Sequence, residues 1–92
     1  MFTREFVIVD PNGFHAVPVS RLARLAKESA FEIFAHDLIS GPVLATSHLR
    51  LLALGLHRGE TLKVSIATDD EQAAIALFEA IGQLLEPTPT LH

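Results

Sequence analysis

Residues 62–66 read Leu-Lys-Val-Ser-Ile, apolar and polar in strict alternation. A strand has a two-residue period, so Leu62, Val64 and Ile66 share one face while Lys63 and Ser65 take the other. A strand patterned this way belongs to a sheet with one dry and one wet face, which is the habit of antiparallel sheets. The dry face then needs cover, and two helical stripes elsewhere in the chain supply it. In the first, over 16–27, Leu22, Leu25, Ala26 and Ser29 fall on one side, with Arg21, Arg24, Lys27 and Glu28 opposite. In the second, Thr68-Asp69-Asp70-Glu71 matches a capping box and opens a long helix whose stripe is Ala74, Leu77, Phe78, Ile81 and Leu85.

The remaining elements fall between these. Residues 2–9 are β-branched and aromatic, with Phe6 and Ile8 on one face and Val7 and Val9 on the other, and 31–35 reads as a second strand. Ser40-Gly41-Pro42 breaks the pattern before a short third segment over 43–45. Thr46 and Ser47 are N-cap residues in waiting for a short helix over 48–54, closed by Gly55. The order is β-α-β-β-α-β-α, an α+β chain with a four-stranded antiparallel sheet under helices, ending near Glu86-Pro87 and followed by a frayed tail over 87–92. Ninety-two residues suit one domain, able to bury roughly 60 to 70% of its unfolded surface.

Charge and composition remove several classes. Seven basic against eleven acidic residues, a net charge of −4, argue against a general nucleic-acid binder. No cysteine is present, so disulfides and thiolate sites are excluded. No run reaches the ~18 apolar residues of a membrane span, and the N-terminus lacks a basic region followed by an apolar one, so a cytoplasmic protein without membrane insertion is expected. His36, His48, His57 and His92 are scattered without metal-ligand spacing, and there is no nucleotide-binding glycine loop, so neither metal nor cofactor is expected.

The stretch from Asp10 to Pro18, Asp-Pro-Asn-Gly-Phe-His-Ala-Val-Pro, joins the first strand to the first helix. It places His15 at a helix N-terminus, where unpaired backbone N–H groups and the positive end of the macrodipole favour anions. A neutral imidazole at such a site is suited to carrying a phosphoryl group.

Four pieces in register make this chain resemble the HPr family, the histidine-containing phosphocarriers of the bacterial sugar phosphotransferase system. They are Pro11-Asn12-Gly13-Phe14-His15-Ala16 with Pro18; Ser47 followed by Leu49 and Leu51; Leu54-Gly55-Leu56 before Gly59; and Asp70-Glu71-Gln72. The resemblance runs over residues 1–86. It implies an open-faced β-sandwich with three helices on one side of a four-stranded antiparallel sheet. It also implies that His15, through its δ nitrogen, accepts a phosphoryl group from phosphorylated enzyme I and passes it to the EIIA domain of a sugar permease. The protein would be a monomeric substrate of transferases more than an enzyme in its own right.

On this likeness the backbone amides of Ala16 and Val17 hold the phosphoryl group, with Asn12 and Pro18 shaping the turn. Ser47 aligns with a serine that a regulatory kinase phosphorylates in HPr of many Gram-positive bacteria, although an ordinary N-cap is the better explanation of a serine there. Phe14, Val19, Leu49 and Leu52 are expected to form an exposed apolar patch beside Ser47 and His48, flanked by Arg21, Arg24, Lys27 and Arg50, that docks acidic partner surfaces. Glu86 resembles the glutamate at the C-terminus of shorter relatives.

One position departs from the family. An arginine typically stands two residues after the histidine, paired with the phosphoryl oxygens, and here that residue is Val17. Impaired or altered transfer is therefore expected, unless Arg21, Arg24 or a partner's residue replaces the charge. The alternative reading is a diverged HPr domain that regulates a partner by docking, and a third is an unrelated small α+β ligand module.

Overall fold

The computed structural model describes residues 1–87, so the expected tail, and His92 with it, lies outside the described residues after Pro87. Chain order is β1 (Phe2–Val7), α1 (Ala16–Glu28), β2 (Ile33–His36), β3 (Val43–Leu44), α2 (His48–Ala53), β4 (Thr61–Ile66) and α3 (Glu71–Leu84). The strands form one sheet in the order β1-β4-β2-β3, with every neighbouring pair antiparallel. This is the expected open-faced sandwich. Among the described residues no helix is long and apolar enough to cross a membrane.

Leu62, Val64 and Ile66 of β4 are buried, as the alternation requires. Their register partners on β1 are Phe6, Arg4 and Phe2, which share the helix-covered face. Arg4, on an edge strand, lays its guanidinium 4.9 Å from the centre of the Phe78 ring, so even this charged position lies against an aromatic of α3. From α1, Val19, Leu22, Ala23 and Ala26 point inward at helical spacing, and α3 contributes Ala74, Phe78 and Ile81. Burying a side chain such as Leu22 or Ile81 stabilises the fold by about 1.5–3 kcal/mol.

Local boundaries differ from the pattern by two residues at three points, and by one residue at the ends of α1, β3 and α2. β1 stops at Val7, not Val9: Ile8 turns into the β4 approach, donating its N–H to the Glu60 carbonyl at 2.8 Å and accepting from Gly59 at 2.7 Å. β2 begins at Ile33, not Phe31, because the Ser29 hydroxyl takes the Phe31 N–H at 3.0 Å and holds a turn there. Helix α3 is capped by Asp70, whose carboxylate accepts from the Ala73 N–H at 3.2 Å, and not by Thr68. The Thr68 hydroxyl instead accepts from the Asp70 N–H at 3.0 Å, a turn outside the helix. Ser65, expected on the wet face, is only 7% exposed. The sheet order sets β4 between β1 and β2, and there Ser65 faces Thr3, with the two hydroxyls 2.8 Å apart.

Candidate functional site

The connection from β1 to α1 is a turn built from Asp10, Pro11, Asn12 and Gly13. Gly13 donates its N–H to the Asp10 carbonyl at 2.8 Å, while the Asp10 side chain accepts the Asn12 N–H at 2.8 Å. Phe14 then donates its backbone N–H to the Leu56 carbonyl at 2.9 Å, tying the turn to the segment that follows α2. With both ends held, His15 falls at the N-cap position of α1 in an extended conformation.

Its imidazole makes no capping bond. It turns back over the turn instead, and Nε2 lies 3.1 Å from Oδ2 of Asp10. The Asn12 N–H first, and the His15 ring second, hold the Asp10 carboxyl below the ordinary carboxylate range. Asp10 is thus ionised and only accepts, so Nε2 carries the proton it donates. That leaves the lone pair of a neutral ring on Nδ1. No buried side-chain nitrogen or oxygen among the described residues lacks a partner, so Nδ1, which has none, is open to solvent.

Helix α1 completes the setting. Pro18 has no N–H, and the Val19 N–H makes the first helical bond, to the His15 carbonyl at 3.1 Å. The N–H groups of Ala16 and Val17 take no backbone partner and are the donors left for an anion at this end. Asp10, Asn12, His15, Val17 and Arg21 line one cleft of about 360 Å³, and Leu84, Glu86 and Pro87 close its far side from the end of α3. Among the described residues, the cleft is therefore lined by one arginine, Arg21, and two acidic residues, Asp10 and Glu86. Val17, 48% exposed, lines the same cleft and brings it no charge.

Arg21 is one turn beyond Val17 and shares its side of α1. Arg24 is instead paired with Glu28 at 3.3 Å on the exposed face, and Lys27 also lies exposed there. Of the two arginines weighed as replacements for the missing charge, only Arg21 reaches the cleft.

The expected apolar patch is corrected by burial. Phe14 and Val19 are core residues, 4% and 0% exposed, because the Leu56 contact pulls the turn down onto the sheet. Leu52 is half-buried against the same core, which leaves Leu49, 78% exposed, as the outward leucine of α2. Arg50 is exposed beside it, and Ser47 is the helix cap, its hydroxyl accepting the Arg50 N–H at 3.3 Å. His48 Nδ1 lies 3.4 Å from the Ser20 hydroxyl, a contact that joins α2 to α1. Leu49, Arg50, His48, Arg24 and Lys27 are thus accessible without forming one continuous apolar surface.

Sequence patterning did not single out the side chains of Asp10 or Ser20, and Glu86 stood out only through the family likeness. The signal for Asp10 was its position at the head of an Asx-type turn, five residues before a histidine. Glu86 enters through the length of α3, which no local motif encodes. Among the described residues no three His, Asp or Glu side chains gather in a metal-binding arrangement.

A family model described as "PTS HPr component phosphorylation site" matches residues 2–86. The chain is 32% identical over 87 residues to a phosphocarrier protein HPr of Lysinibacillus sphaericus, covering 92% of each. It is 31% identical over 88 residues to that of Haemophilus influenzae, covering 94% of this chain and all of the relative. The crystal structure of HPr-C-His from Thermoanaerobacter tengcongensis superposes with a TM-score of 0.75 at 28% identity, over 92% of this chain and 96% of that one.

Proposed function

The chain belongs to the PTS HPr family, and on that premise we propose that it accepts a phosphoryl group on Nδ1 of His15 from phosphorylated enzyme I and passes it to an EIIA domain of a sugar permease. The observation that carries this reading is the division of labour on one ring. Nε2 is engaged by Asp10 at 3.1 Å, and Nδ1 is free at the start of α1. Phosphoryl transfer rests on positioning and on electrostatic stabilisation of the transferring oxygens. The Ala16 and Val17 amides supply donors, and Arg21, the one arginine or lysine lining the cleft among the described residues, supplies the charge that Val17 does not. The exposed Leu49 and Arg50 of α2, with Arg24 and Lys27 of α1, form the docking surface for partners. The protein works as a cytoplasmic monomer that meets its donor and acceptor in turn.

Incubation with enzyme I and phosphoenolpyruvate, read by intact mass, tests the loading step. One acid-labile phosphate is expected on the wild-type chain and none on His15→Ala, whereas an unmodified wild-type chain would refute the reading.

A second reading follows from Val17 itself. With two carboxylates and one guanidinium around the imidazole, the site is suited to slower transfer, and the protein then acts chiefly by docking on a regulated partner. Val17→Arg separates the two: a large gain in transfer rate with the same partners marks a native protein specialised away from general transport.

A further inference from the structure

The contact between Asp10 and His15 has a consequence for what happens to the ring once it is loaded. We propose that Asp10 is the positioning residue of the phosphoryl cycle: it keeps the proton on Nε2 before loading, balances the positive charge that the ring acquires on loading, and so keeps the phosphorylated ring a good leaving group. This rests on the reading of His15 as the phosphoryl carrier.

The steps balance without any proton moving. In the neutral ring the proton sits on Nε2, donated to Oδ2 of Asp10 across 3.1 Å, and Nδ1 holds the lone pair. Nδ1 attacks the phosphorus of a phosphohistidine on the donor protein. The new N–P bond forms, the donor's N–P bond breaks, and the electron pair returns to the donor ring. His15 is now an Nδ1-phosphorylated imidazolium whose Nε2–H faces an ionised carboxylate. When an acceptor nucleophile attacks the same phosphorus, the Nδ1–P bond breaks and its pair returns to Nδ1, restoring the neutral ring with its proton still on Nε2. Without a counter-charge the loaded ring would shed the Nε2 proton, and its leaving group would become an imidazolide, a far poorer one.

The surroundings make Asp10 the group placed for this. It is held from the other side by the Asn12 N–H at 2.8 Å, so both of its oxygens are committed. Its side chain is 18% exposed, against 31% for His15, which limits screening by water. Among the described residues, the other charged groups lining the cleft are Arg21 from α1 and Glu86 just after α3, and neither makes a hydrogen bond to the ring. Carboxylates that orient a histidine through its second nitrogen set both its tautomer and its basicity.

Asp10→Asn is the sharpest probe. Its single oxygen is taken by the Asn12 N–H, so it presents N–H to Nε2 and drives the ring proton to Nδ1. Phosphoramidate, a small-molecule donor, loads histidine without enzyme I, and loading and loss are followed at His15 by peptide mass. Nitrogen NMR of the unloaded protein is expected to place the proton on Nε2 in the wild type and on Nδ1 in Asp10→Asn. Loading of the variant should fall about 10–100-fold. The pH profile for loss of the phosphate should move down by about one unit, in Asp10→Asn and in Asp10→Ala alike. Wild-type tautomer, loading and pH profile in both variants would overturn the proposal. Failure of enzyme I to load a wild-type chain that phosphoramidate does load would instead strike the carrier reading.

Discussion

A Cβ added at Gly13 would stand 2.5 Å from the carbonyl oxygen of Leu56, the same oxygen that receives the Phe14 N–H. Gly13 also has φ of +72°, a left-handed conformation that side chains disfavour. The turn that carries His15 is therefore clamped to the segment after α2 at a point where only glycine fits. Gly13→Ala should destabilise the fold by about 1–3 kcal/mol, read as a lower urea midpoint with an unchanged slope.

With Arg21 lining the cleft, a cation added at position 17 is expected to change the rate of loading from enzyme I by less than about tenfold, and a larger gain would favour the second reading. Among the described residues Arg21 is the only arginine or lysine lining the cleft, so Arg21→Ala should slow the wild-type chain. It should matter less in a Val17→Arg background, where the charge is already present. Single-turnover rates for the four proteins form a cycle whose coupling measures the substitution of one arginine for the other.

Asp10 also links stability to pH. Its folded carboxyl lies below the ordinary value of 3.8, chiefly through the Asn12 N–H and then through His15. The stabilisation is therefore complete above that value and is lost as pH falls through the lower, folded one. Asp37 and Glu60 are lowered in the same direction, by backbone N–H groups of Ser40 and His57 first, so acid weakens the protein at several points together. The difference in urea midpoint between wild type and Asp10→Asn isolates the Asp10 share. It should shrink below about pH 4, as the Asp10 carboxylate takes up its proton.

Burial separates partner contacts from core. Phe14→Ala should cost about 3–5 kcal/mol, whereas Leu49→Ala, at an exposed position, should stay within about 0.5 kcal/mol of wild type. Leu49→Ala and charge reversal at Arg24 together with Arg50 are both expected to weaken enzyme I binding in titration, the reversal with a loss of salt dependence.

Much of the fold could be read from spacing alone. The alternation through Leu62, Val64 and Ile66 marks a one-sided strand, and the stripe through Ala74, Phe78, Ile81 and Leu85 marks its cover, because both periods are local properties of the chain. Ser65 shows the limit: its burial depends on β4 lying between β1 and β2, and strand order leaves no trace in the period. Thr68 and Asp70 compete as caps two residues apart, and the choice is settled by which oxygen meets the Ala73 N–H. At the site, His15 and its helix start stand out through the turn and the prolines. The burial of Phe14 and Val19 does not, because it depends on Leu56 more than 30 residues away in sequence. Neither does the contact with Asp10, which arises from the way the turn folds the carboxylate back over the ring.

The role proposed for His15 is to accept a phosphoryl group and to give it up again. The most direct measurement loads the wild-type chain with labelled phosphate from phosphoenolpyruvate and enzyme I, removes the donor, and adds an EIIA domain. The label is expected to sit on His15 and then to appear on the EIIA domain as it leaves this chain. Label that never reaches His15, or that stays there in the presence of EIIA domains, would contradict it.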